Sequence, residues 1–114
     1  MLKIQLLGRF AVSVDGRPVD LHLRAAQSLL AYLALSAGRA HRREQLAGLL
    51  WPDADEASAK GNLRHTLWRL RKALGEQDGL LADDLTITFD AAADYWLDAR
   101  VIAGKPDVGV SADV

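Results

Sequence analysis

Hydrophobic and polar positions along the chain change period twice. Over residues 2–21 they alternate. Leu2, Ile4 and Leu6 are separated by Lys3 and Gln5, and Phe10, Val12 and Val14 repeat the pattern. A period of two marks strands with one buried face. Asp15-Gly16, ahead of Arg17-Pro18-Val19, is a tight-turn signal. The segment predicts a small N-terminal antiparallel sheet. From residue 24 the period becomes helical. Ala26, Leu29, Leu30, Leu33 and Ala37 predict a helix over residues 24–37, stopped by Gly38. Leu46, Leu49 and Leu50 predict a second helix from Arg43 to Leu50. Glu44 lies in its first turn, where a negative charge suits the helix dipole. Pro52 ends it, because the residue before a proline is pushed out of the α region. A third helix is predicted from Ala57 to Leu74, closed by Gly75. Its Leu63, Leu67, Leu70 and Leu74 form a narrow core-facing stripe. After Asp78-Gly79 the alternation resumes. Leu80-Leu81 and then Leu85, Ile87 and Phe89, arranged around Asp83-Asp84, predict a hairpin. Tyr95, Trp96 and Leu97 are available to pack back on the core. No internal repeat occurs. Sheet, three helices and hairpin, in that order, predict an α+β fold of the winged helix-turn-helix kind over residues 1–99. Residues 100–114, small, polar and turn-rich, predict a tail or linker.

Composition narrows the picture. A chain of 114 residues, half apolar and a quarter charged, suits one soluble domain with a modest core. Without cysteine it has no disulfides and no thiolate metal sites. The start, MLKIQLLGRF, has no long apolar region and no cleavage signature, so no signal peptide is expected. The apolar stretches are too short to span a bilayer. A cytoplasmic, nucleoid-associated protein with no membrane partner is the expectation. The net charge of −1 hides an asymmetry. From His22 to Lys72, nine Lys+Arg face four Asp+Glu, a net of +5; elsewhere five face eleven, a net of −6. The middle of the chain is basic.

That charge concentrates on the third helix. With Leu63 at 0° and about 100° per residue, the leucine stripe stays within about 40° of zero. Lys60, Arg71, Arg64, Trp68, Lys72, His65 and Arg69 fan across roughly 60° to 240°. No acidic residue occurs between Ala59 and Leu74. Arginine forks pair with guanine edges in a major groove, and lysine or arginine neutralises phosphates. A one-sided basic helix is often only a solvated face, but such faces usually interleave glutamate with lysine at i,i+4. They also rarely hold a tryptophan at their centre. Trp68 either contacts sugar or base, or packs against a neighbouring element or partner protein.

At these residues the sequence resembles the N-terminal DNA-binding domain of the Streptomyces antibiotic regulatory protein family, often joined to a bacterial transcriptional activation domain. The carrying segments are LKIQLLGRFAVSVDGRPV, RAAQSLLAYLALSAGRAHRREQLAGLLWPDAD and NLRHTLWRLRKALG. The resemblance spans about residues 2–99 and implies an OmpR-type winged helix, a transcriptional regulator of the activator kind. It implies that the third helix enters the major groove of double-stranded DNA. Arg64, His65 and Arg69 would approach bases, and Asn62, Thr66, Trp68 and Arg71 the backbone. It implies that the loop Trp51 to Ser58, with Asp53, Asp55 and Glu56, contacts RNA polymerase. It implies binding to direct repeats, as a head-to-tail dimer on DNA. Three departures stand out. Arg42 replaces the usual small polar cap before the second helix. The hairpin carries Asp83-Asp84 and no Arg or Lys, and an acidic tip is repelled by phosphates. The helical activation domain that commonly follows does not occur within these residues, so a fragment and a stand-alone binder are both expected forms.

Other chemistries find no support. His22, His41 and His65 lack the i,i+4 spacing and cysteine partners of a zinc site. Gly104-Lys105 matches the end of a phosphate-binding loop, but the upstream glycine is Ala99 and Pro106 follows. Ser28, Ser36 and Ser58 lack a nucleophile elbow or a neighbouring base motif. The carboxylates at 53–56 and 76–84 lack calcium-loop spacing. No catalytic set is present, so no enzyme and no cofactor are expected. The rival reading is a winged-helix protein-interaction module that uses the Trp68 face.

Overall fold

The computed structural model describes residues 1–75 and 78–99. The reading of 100–114 as a tail lies outside the described residues. Leu2–Gln5 (β1) and Ala11–Val14 (β2) pair antiparallel, and β2 pairs antiparallel with Arg17–Val19 (β3). The register sets Leu2 opposite Val14 and Ile4 opposite Val12, with all four side chains buried. Lys3 and Ser13 face each other on the outer side. Asp15 and Gly16 take φ of 52° and 83°. Positive φ at both central residues makes the mirror-image turn whose twist matches the strands.

The sheet differs from expectation in one respect. Tyr95–Leu97 (β7) joins it parallel to β1, giving the order β3-β2-β1-β7. The sheet is therefore mixed. The chain comes back from the hairpin to lie beside its own first strand, and three residues are too few to show a period. Tyr95 and Leu97 are buried, while Trp96 faces outward under the Lys3 ammonium, 5.2 Å from the ring centroid. Asp98 follows, nearly buried. Its carboxylate accepts from the N–H groups of Leu6 and Leu7 at 2.9 and 3.0 Å, which satisfies backbone donors beyond the end of β1.

The first helix, Arg24–Leu35 (α1), stops two residues short of the predicted end. The N–H groups of Ser36 and Ala37 turn to carbonyls three residues back. Gly38 then reverses the chain at φ 89° and donates to the Phe89 carbonyl at 2.8 Å. His41–Arg42 (β4) makes a two-residue strand that sequence periodicity cannot reveal. The second helix, Arg43–Leu50 (α2), has the predicted bounds. Arg42 provides no side-chain cap, as expected. The hairpin does the capping instead, because the Arg43 N–H donates to the Leu85 carbonyl at 2.9 Å.

The third helix, Glu56–Leu74 (α3), is capped by Asp55, which accepts from the Ser58 N–H at 2.7 Å. Gly75, at φ 74°, ends it. Its interior includes Gly61, Asn62 and Thr66, all weak helix formers. Packing must therefore hold it. Ala59, Leu63, Leu67, Leu70 and Leu74 are buried, and the helix packs on both α1 and α2. A buried leucine contributes roughly 1.5–3 kcal/mol, enough for this stripe to outweigh the propensity cost. Leu80–Ala82 (β5) and Thr86–Phe89 (β6) form the hairpin, which completes a second sheet in the order β4-β6-β5. Ile87 and Phe89 enter the core, Phe89 edge-on to Tyr95 at 4.8 Å. Leu81 and Leu85, read as part of the same alternation, are 55% and 68% exposed.

His41 is a buried titratable group at the junction of α1 with the hairpin sheet. Its Nε2 lies 2.8 Å from the Ser36 hydroxyl, and its ring leans on Tyr32. Burial, helped by the charge of Arg39, holds its pKa below the ordinary 6.5. The unfolded chain therefore takes up a proton that the folded chain refuses. The stability this contributes is complete above pH 6.5 and is lost as pH falls from there towards the lowered folded value. Thermal unfolding from pH 7 to 5 should show a drop in the wild type that His41→Gln reduces. Parallel curves for the two proteins would mean the ring is not held neutral.

Candidate nucleic-acid interface

The interface is built on the solvent side of α3. The leucine stripe buries one face, so the helical repeat must present the other. Lys60, Asn62, Arg64, His65, Trp68, Arg69 and Lys72 are all exposed. Trp68 leaves 55% of its surface in solvent. It rests on its own helix rather than on a neighbouring element. The His65 ring lies nearly parallel to it at 6.3 Å, and the Lys72 ammonium sits 4.8 Å from its centroid. The result is an aromatic platform with a cation at its edge, flanked by Arg64 and Arg69.

Two sequence-predicted contact residues fall elsewhere. Thr66 is 2% exposed. It sits about 60° from Leu63 around the helix, on the core side, and cannot reach a phosphate without unpacking α3. Arg71 is already occupied. Its Nη2 donates to the Leu80 carbonyl at 2.7 Å, and its Nε lies 3.4 Å from the Asp78 carboxylate. It ties the end of α3 to the start of β5, so it is a strut inside the domain and not a free phosphate contact.

The α2–α3 connection is shorter than read, because the helix already begins at Glu56. Trp51 is half-buried against the core, and its N–H donates to the Ala47 carbonyl. Asp53, Asp55 and Glu56 are exposed. Asp55 is committed to its cap, and the Ser58 N–H it accepts from holds its carboxyl below the usual range.

The hairpin tip also divides its labour. Asp83 accepts from the Thr86 and Leu85 N–H groups at 2.7 and 2.8 Å, which lowers its pKa and shapes the turn. Its charge is partly spent on the protein, whereas Asp84 is exposed. Asp84 looks across a cleft of about 410 Å³ lined also by Arg43, Lys60, Leu63 and Arg64. Arg43 was not singled out from sequence as a contact residue. Only the return of the hairpin against α2 brings it beside α3, and its one sequence signal was membership of the basic middle segment.

Among the described residues no group of three or more His, Asp or Glu is placed to hold a metal ion. No helix among them is long and apolar enough to cross a membrane.

No protein-family model and no curated protein sequence matches the chain. A solved structure does. The response regulator DrrB of Thermotoga maritima, an OmpR/PhoB homolog, superposes with a TM-score of 0.59 at 22% identity. The match covers 71% of this chain and 38% of DrrB, so the chain corresponds to well under half of that protein. At this identity the likeness concerns the fold. The chain has the α+β winged-helix fold of the OmpR type.

Proposed function

We propose that the protein is a transcriptional regulator that binds double-stranded DNA sequence-specifically, with α3 in the major groove. The observation that carries this reading is the exposed face of α3: five cationic or imidazole side chains around Trp68, with no carboxylate, on the third helix of a winged-helix fold. Arg64, His65 and Arg69 read base edges, with Asn62 beside them. Lys60 and Lys72 neutralise phosphates, and Trp68 packs on sugar. Membership of the Streptomyces antibiotic regulatory protein family, activation of transcription, binding of direct repeats as a head-to-tail dimer, and a place at the nucleoid in the cytoplasm complete the proposal. They rest on the sequence resemblance. Selecting bound sequences from random duplexes with the purified protein tests the DNA-binding reading. Recovery of no enriched motif would oppose it.

A protein-interaction module is the second reading, favoured by the 55% exposure of Trp68. The two separate on salt. DNA binding weakens steeply with ionic strength as counterions are released, whereas an interface built on an indole does not.

The acidic α2–α3 connection cannot assist DNA binding, and in this proposal it faces RNA polymerase. Asp55 must stay, since it caps α3. Asp53→Lys with Glu56→Lys should leave DNA affinity unchanged or raised while transcription from a cognate promoter falls. Unchanged output would assign the connection to solvent.

A further inference from the structure

We infer that Arg43 and Lys60 form a seat for a single DNA backbone phosphate in the cleft between α2, α3 and the hairpin tip, with Asp84 on the rim limiting its affinity. The inference rests on the DNA-binding reading and assigns a new part of the same face.

Three cations converge on this cleft from two helices, against one carboxylate from the hairpin. Arg43 is anchored twice. Its backbone N–H donates to the Leu85 carbonyl at 2.9 Å, and its side-chain Nε–H donates to the Asp83 carbonyl at 2.8 Å. A guanidinium has five N–H donors in a fixed fork. Fixing Nε leaves the terminal nitrogens held and unspent. Among the described residues neither they nor the Lys60 ammonium has a hydrogen-bond or ion-pair partner. Like charges held together without a partner are unfavourable, and an anion between them relieves this. A preorganised arginine fork beside a lysine suits a phosphate's paired oxygens.

Position argues for backbone over base. Lys60 lies on the flank of α3, about 80° around the helix from Trp68. The flanks of a helix lying in a groove meet the sugar-phosphate walls. The tip geometry also explains how an acidic hairpin is compatible with DNA. Asp83 spends its carbonyl on aiming Arg43 and its carboxylate on shaping the turn. Asp84 alone opposes the phosphate, lowering affinity for every sequence alike and leaving discrimination to the base-reading side chains.

The test uses the selected duplex with one phosphate at a time replaced by a neutral methylphosphonate. Wild type, Arg43→Gln, Lys60→Gln and Asp84→Asn are compared. Glutamine keeps an amide donor for the Asp83 carbonyl, and Lys60 is exposed, so the variants should fold; thermal unfolding checks this. One replacement should cost the wild type about tenfold in affinity, as expected for a charge-assisted hydrogen-bonded contact. The same replacement should cost Arg43→Gln and Lys60→Gln less than about twofold, because the partner is already gone. Asp84→Asn should bind all duplexes more tightly at low salt, a gain that fades as salt screens it. If the duplex is bound but both glutamine variants keep the wild-type sensitivity at every phosphate, the seat is wrong and the DNA-binding reading stands. Absence of any binding to unmodified duplex would overturn both. A titration with inorganic phosphate, followed by the amide NMR signals of Arg43 and Lys60, separates sources: saturation there without coupling in the duplex series would assign the cleft to a free anion and overturn the backbone seat.

Discussion

Arg69→Ala or Arg64→Ala is expected to lower affinity for the selected duplex by about tenfold to a hundredfold while changing binding to random duplex far less. A bidentate arginine–guanine contact is worth roughly 1–3 kcal/mol of discrimination, and it is lost only where the guanine is present. Both side chains are exposed and stand on opposite sides of Trp68. Each can reach a base edge without disturbing the core. Competition binding with selected and random duplexes checks this. Equal losses on both would reassign the arginines to phosphates.

Arg71→Ala is expected to act on the fold instead. It removes a charged hydrogen bond to the Leu80 carbonyl and an ion pair with Asp78. Such a bond contributes about 1.5–3 kcal/mol. The lower end applies because 41% of the Arg71 side chain remains in solvent. At roughly 4–8 °C per kcal/mol for a domain of this size, Tm should fall by about 6–12 °C. The salt slope of DNA binding, measured well below the new Tm, should not change, since no phosphate contact is lost. A slope lowered by about one unit with Tm intact would restore the phosphate assignment.

The contrast between these arginines shows what the chain made legible and what it did not. The leucine stripe of α3 fixed its buried side and hence its basic face, because helical geometry converts spacing directly into direction. Asp15-Gly16, Gly38 and Gly75 marked their turns because the backbone there takes positive φ. The missing cap at Arg42 was legible too, but not its substitute, the Leu85 carbonyl, which arrives from 42 residues further along the chain. The same limitation hid β7, the commitment of Arg71 and the convergence of Arg43 on Lys60. Each depends on where the hairpin returns, which no local period encodes. Thr66 was misplaced for a different reason. It borders the leucine stripe, and a threonine there is polar by type while packed by position.

The most direct test of α3 as a DNA-reading helix is equilibrium binding of the intact protein to its selected duplex across a salt series. With the exposed cations of α3 and Arg43 engaged, log affinity should fall linearly with log salt, with a slope of about −3 to −5. Specific binding should remain tighter than binding to random duplex at each salt concentration. A slope near zero, or identical affinity for selected and random duplexes, would contradict it.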